Sequence, residues 1–417
     1  MSDLQATVFL HGEAVGDLKQ VGNDLTFRFR ESYITDLRRP TLGTHFNAHL
    51  HNSFVGSVAA PTWFDHLLPE GQLKKLVEHA FHRSNLSKLE LLLALGHDLP
   101  GAVEILPAQE TSPYSPTHRS TPPEQISSAS DSEVNPLRFS LAGLNLKFSG
   151  ANLGERFVAG AKDASGKPSI LKLPDSRFPN LPVNENLTMR LASEAGINVP
   201  QTSLVHRENI ENVAEHNFAG EAWGYMIDRF DRAPNARVHI EDFLQVRGQE
   251  LSDAAKYTGN QQTLFNIVRS YTDMGDYVEA IRRFVFNCLV GNADAHWKNW
   301  SLIYPDRVTP KLSPAYDLVT VGYYADKVYG PGLNVDTDLA LPLNKAKTIE
   351  KCTVKQLKTV SGPRLLNDPD FPDRVITLTR EIRETLLDAE PNHPLEEPIL
   401  QYIPVSYTHL TLPTKRI

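Results

Sequence analysis

The segment spanning residues 107–136 limits what this chain can fold into more than any other feature. Pro107, Pro113, Pro116, Pro122, Pro123 and Pro136 stand there among Ser, Thr, Gln and Glu, with few apolar side chains. Such a stretch buries too little surface to offset the entropy of ordering it, and its prolines donate no backbone hydrogen bond. It reads as a linker or a long surface loop. The chain therefore has to fold as one body before it and a larger one after it. At 417 residues, and roughly 100–200 residues per domain, two or three domains are expected.

Residues 1–106 read as a small α+β domain. Residues 7–10 and 14–15 flank a His11-Gly12 turn, as in a hairpin, and residues 25–29 alternate like a half-buried strand. Helical spacing follows over 73–80 and 88–95. The second helix has Ser87 as N-cap, Glu90 to complete a capping box and Gly96 as stop. Beyond the linker, residues 137–232 are strand-rich, with strands expected at 138–141, 146–149, 170–173, 203–205 and 222–227, and a helix over 184–195. Residues 233–404 turn helical, over 262–274, 277–290 and 375–390. A strand-rich section followed by a helix-rich one describes a two-lobed α+β body. Residues 405–417 resemble a translated sequencing adapter and are set aside, with the native C-terminus expected to be missing.

Composition narrows the function. The net charge of −8 argues against a chain whose whole surface grips nucleic acid or anionic membrane. Cys288 and Cys352 are the only cysteines, too few for a disulfide framework or a four-thiolate zinc site. No run of about 18 apolar residues occurs, and the start of the chain lacks the basic and apolar regions of a signal peptide. A soluble cytoplasmic protein is expected.

The strongest chemical signal is Gly291-Asn292-Ala293-Asp294-Ala295-His296-Trp297-Lys298-Asn299, a polar loop between a long apolar helix and a short apolar strand. Downstream, Asp317 sits between apolar flanks in Ala315-Tyr316-Asp317-Leu318. Phosphoryl transfer needs one carboxylate to orient a hydroxyl, an amide and a second carboxylate to hold Mg²⁺, and a lysine to neutralise phosphate. The Asp294–Asn299 spacing matches the catalytic loop of protein kinases, and Asp317-Leu318 stands where the metal-binding aspartate belongs. Any one of these residues alone is an ordinary cap or turn former; the combination is rarer.

Lys172, inside the apolar run Ile170–Leu173, either snorkels outward or meets a fixed anion. Glu185, 13 residues later, is placed either to pair with it or to complement its own helix N-terminus. The turn Ser140-Leu141-Ala142-Gly143-Leu144-Asn145-Leu146-Lys147 lacks both Walker and multi-glycine kinase patterns, but its backbone N–H groups could cradle phosphate, helped by Lys147 or Ser140. Asp228-Arg229-Phe230 ends a strand at the lobe junction, where a purine edge could pair with main chain; a surface charge run is the competing reading.

These segments together resemble the HipA family, serine/threonine kinases of bacterial type II toxin–antitoxin modules, over residues 5–400. The resemblance rests on Trp63-Phe64-Asp65-His66-Leu67-Leu68-Pro69-Glu70-Gly71 and Leu95-Gly96-His97-Asp98-Leu99-Pro100-Gly101, and on the segments around Ser140, Lys172, Glu185, Asp228, Asp294 and Asp317. It implies a bilobal protein-kinase-like α+β fold behind a small α+β N-terminal domain. It implies Asp294 as catalytic base, Asn299 and Asp317 as Mg²⁺ ligands, and Lys172 on the ATP phosphates with His296 nearby. Asp228, Arg229 and Phe230 would hold adenine, Glu185 would pair Lys172, and Gly143, Asn145 and Lys147 would belong to the phosphate loop. Ser140 would be autophosphorylated, expelling that loop, since about two negative charges beside a phosphate pocket repel ATP. The implied substrate is an aminoacyl-tRNA synthetase. The implied partner is a HipB-like helix-turn-helix antitoxin, which would carry most contacts to operator DNA. Leu144-Asn145 departs from many relatives, and the 107–136 insert is longer than expected of the family. The alternatives are a non-catalytic corepressor acting with the antitoxin, or a small-molecule kinase; the N-terminal domain speaks against the second.

Overall fold

Alternating apolar residues in the first thirty positions build the edge-to-centre strands of the first sheet. In the computed structural model, which describes residues 4–108 and 147–406 apart from 23, 57–61, 69–73, 76, 79–82, 161–165, 235, 250–251, 326–337 and 360–369, β1 (Leu4–Leu10), β2 (Glu13–Val21), β3 (Asp24–Phe29), β4 (Phe54–Gly56) and β5 (Val103–Pro107) form an antiparallel sheet ordered β4-β3-β2-β1-β5. Val8, Leu10, Leu18 and Phe27 point to its buried face. That face is covered by α1 (Thr62–Asp65) and by α2 (Lys88–Leu95), whose consecutive leucines are buried nearly all round. The Ser87–Glu90 capping box is formed as read, a local feature worth about 1 kcal/mol. Of the helix expected over 73–80, residues 74, 75, 77 and 78 are described and are helical; the strand expected over 138–141 lies outside the described residues.

The second sheet comprises β6 (Lys147–Asn152), β7 (Phe157–Ala159), β8 (Lys167–Lys172), β9 (Thr202–His206), β10 (Ile210–Glu211) and β11 (Trp223–Asp228), ordered β10-β7-β6-β8-β11-β9. The helix α3 (Leu181–Glu194) packs against β11 and β9. Strand alternation divides β11 between two cores: Met226 enters the small core of this lobe, while Tyr225 and Ile227 enter the large helical core. The last strand before the hinge is thus shared by both lobes.

Beyond it lie a three-stranded sheet of β12 (His239–Asp242), β13 (Ser301–Tyr304) and β14 (Lys311–Leu312) and the helices α4 (Asp253–Tyr257), α5 (Gln261–Tyr271), α6 (Met274–Val290), α7 (Phe371–Leu387) and α8 (Glu397–Ser406). The break between α5 and α6 comes from Asp273, whose side chain caps α6 by accepting from the Asp276 N–H. Among the described residues no helix is long and apolar enough to cross a membrane.

The N-terminal unit is fastened to the rest through buried polar groups. Glu241 of β12 is fully buried and accepts from the Thr44 backbone N–H (3.0 Å), the Trp63 indole (3.2 Å) and the Tyr304 hydroxyl. Burial pushes its carboxyl up to about 7 even though these donors oppose the shift. The folded value exceeds the unfolded one, so its stabilising contribution is fully present below the usual glutamate value and is lost as pH rises through about 7, a swing of up to about 3 kcal/mol. Glu241→Gln is expected to flatten the fall in melting temperature between roughly pH 5 and pH 8 relative to the parent. Thermal unfolding of both proteins at the two pH values checks this; parallel losses would refute it.

Candidate active site

The loop that carries Asp294 is built by asparagine hydrogen bonds. Gly291 closes α6 in the left-handed region (φ 75°), and a side chain there would press on the Tyr402 ring. Asn292 donates to Asn287 twice, from its backbone N–H to the carbonyl (2.8 Å) and from its side chain to Oδ1 (3.0 Å). The Asp294 N–H then donates to Asn292 Oδ1 (3.3 Å), and the Asp294 carbonyl accepts from the His296 N–H (2.7 Å) and from Asn299 Nδ2 (3.0 Å). The Asn299 amide nitrogen is thereby occupied, which leaves its oxygen as the group able to meet a cation. Asp294 itself is exposed. Partial desolvation raises its carboxyl, opposed by His296 and by a hydrogen bond from Tyr257.

Opposite this loop stand the charged groups of the second sheet. Lys172, at the end of β8, donates to Glu185 of α3 and to Asp317 (2.5 Å). Of the two fates open to this lysine, the fixed anion is the one observed. Burial alone would lower its ammonium, but Asp317 and Glu185 outweigh it and hold it above the ordinary range. Burial likewise works to raise Asp317, and Lys172 and Lys147 overcome it and hold that carboxyl well below the carboxylate range. Glu185 is raised, chiefly by burial and against the pull of Lys172. Lys147 is the cross-strand neighbour of Lys172, and burial followed by that like charge lowers its ammonium. Asp317 occupies the left-handed region (φ 60°), uncommon for a residue with a side chain and frequent at functional sites. Asn299 and Asp317 line one small cavity with Asn287, Asn292, Arg283 and Tyr316.

At the hinge, the Asp228 N–H donates to Gln201 and the Arg229 N–H to Pro168, both at 2.9 Å. The Phe230 ring lies 5.7 Å from Tyr316. The Arg229 side chain turns away from the cleft. Its guanidinium is buried and donates to Asp98 of the N-terminal unit (2.7 Å), Ser149 of β6 (3.1 Å) and Asp231 (2.8 and 2.9 Å). Arg232 joins the same cluster through Asp98 (3.0 Å) and the Gly101 carbonyl (2.8 Å). The Arg229 side chain is thus committed to this cluster, and its backbone N–H and carbonyl are engaged by Pro168 and by the Arg232 N–H (3.3 Å).

The structure therefore gathers Lys147, Lys172, Glu185 and Asp317 beside the loop bearing Asp294, His296 and Asn299. The Asp228 carboxylate faces Ser169 (2.9 Å). Ser140, Gly143 and Asn145 lie outside the described residues. Sequence reasoning missed Tyr257, whose hydroxyl donates to Asp294 (3.0 Å), and Tyr225, over whose ring Lys172 sits at 5.6 Å. Nothing local marks either: Tyr257 precedes Asp294 by 37 residues. Tyr225 Oη and His296 Nδ1 are buried with no hydrogen-bond partner among the described residues, which fits a polar ligand in the cleft. No cluster of three His, Cys, Asp or Glu side chains forms a metal cage among the described residues. Two oxygen donors, Asn299 and Asp317, suit a cation that shares its coordination with phosphates.

A small sheet and a helical lobe joined at a hinge, with a Lys–Glu pair on one side and an Asp/Asn loop on the other, define a bilobal kinase-like α+β protein. The family profile for the HipA N-terminal domain matches residues 6–106, and that for the HipA-like C-terminal domain matches residues 139–387. The chain belongs to the HipA family. It is 38% identical over 329 residues to "Putative kinase Y4dM" of Sinorhizobium fredii, covering 76% of this chain and 78% of the relative. It is 29% identical over 294 residues to "Serine/threonine-protein kinase toxin HipA" of Shewanella oneidensis, covering 62% and 63%. The fold matches a chain in the solved complex of Shewanella oneidensis HipA, HipB and operator DNA, with a TM-score of 0.69, 21% identity and coverage of 96% and 95%.

Proposed function

We propose that this chain is an ATP- and Mg²⁺-dependent serine/threonine protein kinase that acts as the toxin of a type II toxin–antitoxin module in the cytoplasm. The observation that carries this reading is the Lys172–Glu185–Asp317 ion triad set beside the Asp294–Asn299 loop. Residues 1–106 serve as the N-terminal domain, 137–232 as the nucleotide-binding lobe and 233–404 as the catalytic lobe.

In this reading Lys172, held in place by Glu185, meets the phosphates of ATP, and Lys147 adds a second positive charge beside it. Adenine lies against the hinge main chain from Asp228 to Phe230. Asn299 and Asp317 hold Mg²⁺, which when bound neutralises phosphate charge. Asp294 orients the acceptor hydroxyl and accepts its proton late, with His296 alongside. Ser140, with Gly143 and Asn145 in the phosphate loop, is the site of self-modification that silences the enzyme. The substrate class is a translation component such as an aminoacyl-tRNA synthetase. The partner is a HipB-like antitoxin, the kind of protein named in the complex of the structural neighbour, and it supplies the operator contacts that a chain of net charge −8 does not favour making broadly itself.

The test is phosphate transfer from labelled ATP into bacterial lysate proteins. Chelating Mg²⁺ with EDTA is expected to cut incorporation at least about a hundredfold, and restoring MgCl₂ to recover it. Equal incorporation with and without the cation would remove the metal from the scheme, and no incorporation under either condition would remove the kinase.

A further inference from the structure

Tyr257 plays no part in the scheme above, yet it touches the centre of it. Its hydroxyl donates to Asp294 Oδ1 at 3.0 Å, and its ring meets the His296 ring edge-on, with centroids 5.5 Å apart and planes at 81°. The residue is 47% exposed. A surface tyrosine gains little from one such bond unless its backbone is already fixed, and here it is fixed to the catalytic loop itself. Tyr257 ends α4, and the carbonyl of the next residue, Thr258, accepts from both the Trp297 indole (3.0 Å) and Arg247 (3.2 Å). The Arg247 guanidinium lies 4.1 Å from the Trp297 ring centre. Gly259 follows at φ 136°, and a β-carbon there would come within 2.9 Å of the Trp297 ring. The indole bond, the Arg247 bridge and the close approach of Gly259 thus tie residues 258–259 to Trp297, three positions after Asp294 in the same loop.

We propose that Tyr257 is a positioning residue for phosphoryl transfer: by occupying Oδ1 of Asp294, it leaves Oδ2 as the oxygen that meets the acceptor hydroxyl. An unrestrained aspartate rotates about its terminal torsion and presents either oxygen. A carboxylate held by a donor on one side presents the other in a single orientation, and misplacement at this point is costly. In the step itself, the acceptor oxygen bonds to the γ-phosphorus as the bond from that phosphorus to the β–γ bridging oxygen breaks. The electron pair leaves with ADP, and the acceptor proton ends on Asp294. Tyr257 keeps its own proton throughout. This inference rests on the kinase reading.

The test compares the parent, Tyr257→Phe, Tyr257→Ala and Asp294→Asn, with labelled ATP as donor and bacterial lysate proteins as acceptor. Tyr257→Phe keeps the ring against His296 and is expected to lower the maximal rate by about tenfold to a hundredfold with KM for ATP unchanged. Tyr257→Ala should match it, because the hydroxyl rather than the ring carries the effect. A Tyr257→Phe protein at the parental rate beside an inactive Asp294→Asn protein would overturn the inference and leave the kinase reading standing. So would a rise in KM for ATP without a fall in rate, or a loss confined to Tyr257→Ala, both of which mark a packing role. Absence of transfer by the parent would overturn the kinase reading, and parental transfer by Asp294→Asn would remove Asp294 as the base; either result overturns this inference with it.

Discussion

Asp294→Asn is expected to lower phosphate transfer by about two to four orders of magnitude while leaving ATP binding close to the parental level. The size follows from what the substitution removes. Asparagine keeps the shape of the side chain and can still accept from Tyr257 through its oxygen. It cannot take the acceptor's proton, and it directs an amide donor where a hydroxyl donor must approach. The surrounding loop should not notice. It is held by Asn287, Asn292 and Asn299 acting on the backbone of residues 292–294, none of them bonded to the Asp294 carboxylate. The check has two parts: label incorporation from ATP, and calorimetric titration of the same protein with ATP and MgCl₂. A loss of transfer below about tenfold would mean that Asp294 is not the base, since general-base removal costs more than that. A joint loss of transfer and binding would mean a collapsed loop.

The parts of this site that could be read in advance are those whose chemistry is short-range along the chain. Asp294 and Asn299 sit five positions apart, and the carbonyl-to-amide bond that joins them is a property of one loop. Glu185 and Lys172 are 13 residues apart, on a strand and the following helix, so a single connection brings them together. The Ser87–Glu90 box is more local still. What escaped reading depends on partners far away in sequence. Arg229 is expected at an adenine-holding hinge, with a surface charge run as the competing reading, but its guanidinium is claimed by Asp98, 131 residues earlier, in a unit that composition alone could not dock onto the lobe. Glu241 carries no motif, and it becomes a buried anchor only because Thr44, Trp63 and Tyr304 converge on it. Lys147 was placed in the phosphate loop by resemblance. Its position directly across from Lys172 is a matter of strand register, which a one-residue slip would reverse.

Asp317→Asn is expected to abolish measurable transfer, by about a thousandfold or more, through a different route: it should weaken the response to Mg²⁺ and leave binding of metal-free ATP intact or tighter. Asparagine is the right replacement because the residue sits at φ 60°, a region that asparagine adopts far more readily than most side chains, so the backbone is kept. In the protein as it stands, Asp317 and Glu185 share the Lys172 ammonium. A triphosphate entering the cleft without a cation meets the buried Glu185 and the half-buried Asp317 carboxylates as well as two lysines. Removing one negative charge leaves Lys172 with Glu185 alone, so its remaining capacity turns to phosphate. The same removal deletes the only charged cation ligand in the scheme, since Asn299 contributes a neutral oxygen. Titration with ATP in EDTA, and again in MgCl₂, separates the two effects. The parent should bind more tightly with the metal than without it, and Asp317→Asn should show little difference between the two. If the variant instead keeps the full metal response, or binds metal-free ATP about tenfold more weakly than the parent, Asp317 serves to hold Lys172 and the cation lies elsewhere.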